Sequence, residues 1–276
     1  MKKSISILFL IFVSLIATAQ SEKGFYASVN TGYNIGIGNV DRYNSMILGI
    51  GNSTQIDAST YQMENLKINF GKGINAGATL GYMFNKNTGF ELGVNYLFGG
   101  KNEGHGTELS GDYFNAEASA KMIQIKPTII VRSGFNTVNP YAKVGMVIGS
   151  GKITNTHNQK NGADFYNDTS EYYGGMPIGF HASIGTLYKL NEKLSLFGEL
   201  NLVNLEYAPK KRQLTESFKN GVDQLPSMTV RQKELEFVTT ITDTAEPSNP
   251  NEPGKSSKIA FTFSSIGLNV GLQYHF

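Results

Sequence analysis

The chain runs to 276 residues with no cysteine, no tryptophan, 40% hydrophobic residues and a formal charge of +2. Without thiols there are no disulfide staples and no thiolate metal sites. A near-neutral chain with no basic stripe interleaved by aromatics also excludes nucleic acid as a partner.

Residues 1–19 read as an export signal. Lys2 and Lys3 supply the positive start, Ile5 to Ile16 the apolar run, and Ala17-Thr18-Ala19 a small-x-small cleavage site before Gln20. The apolar run is shorter than the ~20 residues a membrane-spanning helix needs. Residues 20–276 are then expected to form one all-β domain, since no later segment approaches ~18 consecutive apolar residues.

That domain repeats one pattern eight times: apolar side chains on alternate residues, small or polar ones between. The first segment sets Phe25, Ala27, Val29, Tyr33, Ile35 and Ile37 against Ser28, Asn30, Gly32, Asn34 and Gly36. The second runs from Ile74 to Phe84 and the third from Phe90 to Phe98. The fourth, Ile123 to Arg132, contains Pro127, whose missing N–H predicts a bulge or bend. The fifth covers Ala142 to Ile148, the sixth Ile178 to Leu190 and the seventh Leu194 to Leu202.

Connections alternate in length. Those at 85–89, 133–140 and 191–193 are short; those at 39–66, 100–117, 151–175 and 208–258 are long. The last long loop, 208–258, carries Asn220-Gly221, a hairpin turn signal, and an alternating stretch at 234–241. A small β-rich cap on extended strands seven and eight is expected there, with Pro-rich 246–257 as its mobile crest.

The eighth segment, Ile266 to Phe276, alternates without a break and ends on an aromatic. Asn269, Gly271, Tyr274 and Phe276 resemble the C-terminal assembly signal of bacterial outer-membrane β-barrels. Asn139-Pro140-Tyr141 and Phe197-Gly198-Glu199 add to the resemblance, which is to the small OmpA-, OmpX- and OmpW-like barrels. It implies an eight-stranded antiparallel transmembrane β-barrel with short periplasmic turns and long extracellular loops. It also implies the outer membrane as location, with outer-membrane lipid, lipopolysaccharide and the barrel-assembly machinery as partners. A soluble barrel would reverse the two faces. The terminal aromatic, the loop alternation and the Gly, Ser and Asn of the polar face oppose that.

Under this reading Glu91, Lys126, Arg132, Lys143 and Glu199 point inward. Charges in so narrow a space must pair, so a structural salt-bridge and hydrogen-bond network is expected. Leu97, Ile130, Val147, Leu187, Phe197 and Val203 also face inward. They keep open an OmpW-like passage for small apolar molecules.

His181-Ala182-Ser183 resembles the His-x-Ser of outer-membrane lipid A deacylases, but Ile184 replaces the following Asn and no acidic residue is spaced to orient the His. No enzyme, cofactor or metal site is expected. The expected role is a plugged or narrow barrel whose surface loops serve structure or interaction.

Overall fold

A computed structural model describes residues 23–39, 48–64, 66–241 and 249–276. The expected export signal lies outside the described residues. The strands, in chain order, are β1 (Gly24–Gly36), β2 (Asn52–Gln55), β3 (Tyr61–Glu64), β4 (Gly73–Met83), β5 (Thr88–Gly99), β6 (Asn102–Thr107) and β7 (Tyr113–Arg132). They continue as β8 (Val138–Asn161), β9 (Asp164–Tyr173), β10 (Ile178–Lys189), β11 (Leu194–Asn204), β12 (Glu206–Tyr207) and β13 (Lys211–Lys219). The last are β14 (Val222–Asp223), β15 (Glu234–Val238), β16 (Gly254–Ser257), β17 (Phe261–Thr262) and β18 (Ser265–His275), with a 3-10 turn (Leu225–Ser227) and an α-helical turn, α1 (Val230–Lys233), before β15.

Eight of these close a ring. Each neighbour is antiparallel in the order β1, β4, β5, β7, β8, β10, β11, β18 and back to β1. The eight alternating segments of the sequence are these eight strands. Closure leaves the ring no unpaired edge. First and last strands meet through Tyr26 opposite His275, which brings both ends of the ring to the side of the short turns.

The pleat then sorts the side chains. Val29 is 57% exposed, Leu80 65% and Leu268 62%, all on the outer wall. Their alternates Ser28, Glu91, Asn201 and Asn269 are buried around the axis. An oily exterior around a polar interior reverses a soluble domain and suits lipid outside. Rings collect where the wall meets the turn side: Phe25 lies 4.7 Å from Tyr82, and Tyr274 5.4 Å from Phe276. Such amphipathic belts mark the edge of a hydrocarbon layer.

Pro127 departs from expectation. The β7–β8 register is the same on both sides of it, with Ile125 opposite Ile148 and Thr128 opposite Gly145. No residue is inserted. The ladder simply skips the rungs at Lys126 and Pro127, because one donor is missing and nothing else need shift.

At the loop end β7 and β8 do not stop with the ring. Their pairing continues to Tyr113 opposite Lys160, so the expected loops 100–117 and 151–175 are largely strand. Beside them β6, β2 and β3 extend one flank, and β9, β13, β15 and β16 the other, giving a nine-stranded wall. The cap is therefore built on the fourth and fifth ring strands. The seventh and eighth are prolonged only by the two-residue pair β12–β17.

Asn220 and Gly221, at φ 53° and 80°, make the two-residue turn between β13 and β14. Residues 254–257, expected in a mobile crest, pair in parallel with β15, while 246–248 lie outside the described residues.

Candidate functional site: the barrel lumen

The inner surface has three levels. At the loop end, Leu97, Met122, Val147 and Val203 join an apolar cluster that continues upward through Phe70, Phe261 and Phe263. At the turn end, Tyr26, Met83, Ile130, Tyr141, Leu187 and Phe197 form a second cluster. Between them lies a polar belt. All six apolar positions read as lumenal are thus buried in one cluster or the other.

The belt is organised by Lys143 on β8. Its Nζ lies 3.0 Å from Glu91 Oε2 and 3.0 Å from Glu199 Oε2, side chains that reach it from β5 and β11. Tyr26 donates its hydroxyl to Glu91 at 2.6 Å, and Tyr141 donates to Glu199 at 3.1 Å. One cation and two phenols therefore satisfy two carboxylates taken out of water. This is the condition under which buried charges are tolerated.

Of the five charged residues read as inward, the structure joins Glu91, Lys143 and Glu199. Lys126 lines the same cavity, of about 40 Å³, without an ion-pair partner among the described residues. A space of that size accommodates a few waters. Arg132 sits apart, at the turn end. Its guanidinium lies 4.6 Å from the centre of the Tyr26 ring and donates to Gln273 Oε1 at 3.2 Å.

Above the ion pairs the belt becomes an amide lattice. Asn75 donates to Asn34 Oδ1 at 3.0 Å and to Asn269 Oδ1 at 3.1 Å. Asn269, singled out as part of the assembly signal, thus points inward, and its companions Tyr274 and Phe276 face out. Gly271 lies under Phe197, whose ring a Cβ there would meet at 2.5 Å.

Sequence reasoning passed over Tyr26, although its parity with Ser28 already placed it inside. It also gave no signal of a recurring pairing of bulky with null side chains. Tyr26 faces Gly81 across the β1–β4 ladder, Tyr141 faces Gly185, and Phe197 faces Gly271. In so tight a ring each large side chain takes the space its partner leaves empty. A Cβ on Gly81 would fall 2.1 Å from the Tyr26 ring. Gly81→Ala is therefore expected to destabilise the barrel by about 1–3 kcal/mol through overpacking. The loss should shrink in a Tyr26→Ser background, as a double-mutant cycle of urea unfolding in lipid vesicles would show.

His181 and Ser183 both point into the belt. The His181 Nε2 is 2.8 Å from Thr128 Oγ1 across the β7–β8–β10 ladders. Both residues are buried on the inner face, behind the apolar outer wall. Among the described residues no group of acidic, His or Cys side chains is arranged to hold a metal.

The sequence profile described as "Outer membrane protein beta-barrel domain" matches residues 5–224. The chain belongs to this family. It resides in the bacterial outer membrane as an eight-stranded barrel, with the short turns periplasmic and the long loops extracellular.

Three solved structures illustrate the similarity. Neisserial surface protein A is 12% identical, with 93% of this chain and 100% of that one covered and a TM-score of 0.38. OprG from Pseudomonas aeruginosa is 12% identical, over 92% and 96%, with a TM-score of 0.44. CarO2 from Acinetobacter baumannii is 13% identical, over 90% and 98%, with a TM-score of 0.32. No curated protein sequence matches the chain.

Proposed function

We propose that this outer-membrane barrel is closed to solutes and acts as a rigid, non-enzymatic pedestal for an extracellular β-wall that makes the protein's contacts. The observation that carries the reading is strand length. β7 has 20 residues and β8 has 24, whereas about 10 suffice to cross a bilayer. A membrane anchor alone would not need the excess.

The wall is ordered by ladders along its whole height, and ion pairs such as Lys219–Asp164 at 2.7 Å and Lys101–Glu117 at 2.8 Å decorate its faces. These exposed pairs contribute little stability, but they set the chemistry a partner meets. Lipopolysaccharide surrounds the base of such a wall and is the first partner proposed. Asn269, Gly271, Tyr274 and Phe276 are proposed as the element that the barrel-assembly machinery reads.

The two apolar clusters and the ion-paired belt between them support closure. The competing role, a passage for small apolar molecules, needs a continuous cavity through the loop-end cluster. Planar-bilayer conductance and uptake of an apolar dye by liposomes separate the two. Both are expected to be silent with the full chain. Stable conductance steps, or dye uptake above that of empty liposomes, would sink the closed-pedestal reading.

A further inference from the structure

We propose that the periplasmic mouth of the barrel is a binding site for a small oxyanion, a carboxylate or a phosphate ester, with Arg132 at its floor. The mouth opens as a vestibule of about 750 Å³, within the size range of small-molecule sites. Lys23, Lys86, Arg132 and Lys189 line it, against Glu192 as the one acidic side chain in the lining. A cleft in which one sign of charge predominates focuses the field and concentrates counter-ions.

Arg132 is the second and independent observation. It is only 6% exposed, yet no carboxylate lies within ion-pair reach among the described residues. Its held partners are neutral: the Gln273 amide and the face of Tyr26. The guanidinium Nε is buried and has no acceptor. The carboxylate reached through Tyr26, that of Glu91, is already paired with Lys143. Among the described residues of the lumen, the two carboxylates of Glu91 and Glu199 thus answer the three cations Lys126, Arg132 and Lys143.

Leaving a cation buried without a counter-charge is costly, and an entering anion removes that cost. Guanidinium is suited to the task because its planar donors match the oxygen pairs of carboxylates and phosphates. The group is also preorganised. The Arg132 N–H donates to Asn87 O at 2.7 Å, and Asn87 Nδ2 donates back to Arg132 O at 2.9 Å, so the β4–β5 turn clamps the end of β7. A site that need not reorganise on binding loses less affinity to ordering.

The test is an NMR titration of the full chain refolded in maltoside micelles, following the Arg132 side-chain N–H signals. Inorganic phosphate and acetate are the two probes, with chloride at matched ionic strength as control. A saturable shift with phosphate, acetate or both is expected, and whichever saturates names the oxyanion class. The rim variant Lys86→Gln/Lys189→Gln should retain the heat-modifiable mobility of a folded barrel and weaken binding about tenfold, or ~1.4 kcal/mol. Arg132→Gln, followed by the backbone amide signals of Asn87 and Gly134 in both proteins, should abolish it; if that variant does not refold, the rim variant decides. Shifts no different from chloride for both probes, or undiminished affinity in the rim variant, would overturn the proposal.

Discussion

Replacing Lys143 with methionine is expected to cost the barrel about 3–5 kcal/mol, the usual penalty for stripping a buried ion network of its counter-charge. Two carboxylates that now meet at one ammonium, each at 3.0 Å, would face each other with only the hydroxyls of Tyr26 and Tyr141 left as donors. The measurement is the urea midpoint for unfolding from lipid vesicles, read by the shift between folded and unfolded gel mobility.

A second variant sharpens the test. Adding Glu91→Gln, Glu199→Gln and Lys126→Met to Lys143→Met removes the carboxylates and ammoniums that line this cavity, and most of the lost stability should return. A loss under about 1 kcal/mol in the single variant would mean that water, not Lys143, compensates the two glutamates. Failure of this charge-free variant to recover would assign the loss to methionine's shape instead.

The other large effect belongs to the outer wall. Leu268, near the middle of β18, packs beside Leu200 of β11 and Tyr33 of β1 on the lipid side. Leu268→Arg is expected to destabilise the barrel in vesicles by about 2–4 kcal/mol, the range for a cation near the bilayer midplane. The same change at Tyr274, beside Phe276 at the membrane edge, should cost only ~0–1 kcal/mol. Depth dependence is the discriminating feature. Equal effects at both positions would mean that the face meets something other than a lipid layer.

Neither variant breaks a side-chain hydrogen bond or ion pair of the belt. Their cost arises on the lipid-facing wall, from the charge and the packing lost there, whereas that of Lys143→Met arises from lost pairing inside. Together the two series separate what the bilayer contributes from what the lumen contributes.

The ring was legible in the chain because alternation is a local property. Wherever one face of a strand meets lipid and the other a crowded axis, every second residue must be apolar, and eight such runs separated by alternately short and long links imply a closed antiparallel barrel. Parity even assigned Glu91, Lys143 and Glu199 to the inside. It could not say that these three meet, because their contact depends on the stagger between strands some 50 residues apart. It likewise could not show that Arg132 and Lys126 stand without such a partner among the described residues. The match of Tyr26 with Gly81, or of Phe197 with Gly271, is decided the same way, by register across a ladder.

The extracellular wall shows the opposite limit. Residues 113–120 and 152–161 form long strands with one buried face, but Ala116, Ala118, Ala120 and Asn155 carry most of it, and side chains so small or polar leave no apolar stripe, so the stretch reads as loop. Their strand state rests on main-chain pairing such as Ala116 with His157 and His157 with Asp168. The single sequence therefore determined which residues cross the membrane and which way they face. Only the folded molecule decided how far two of those strands rise above it and which charges are left unanswered, because both depend on partners that no local pattern specifies.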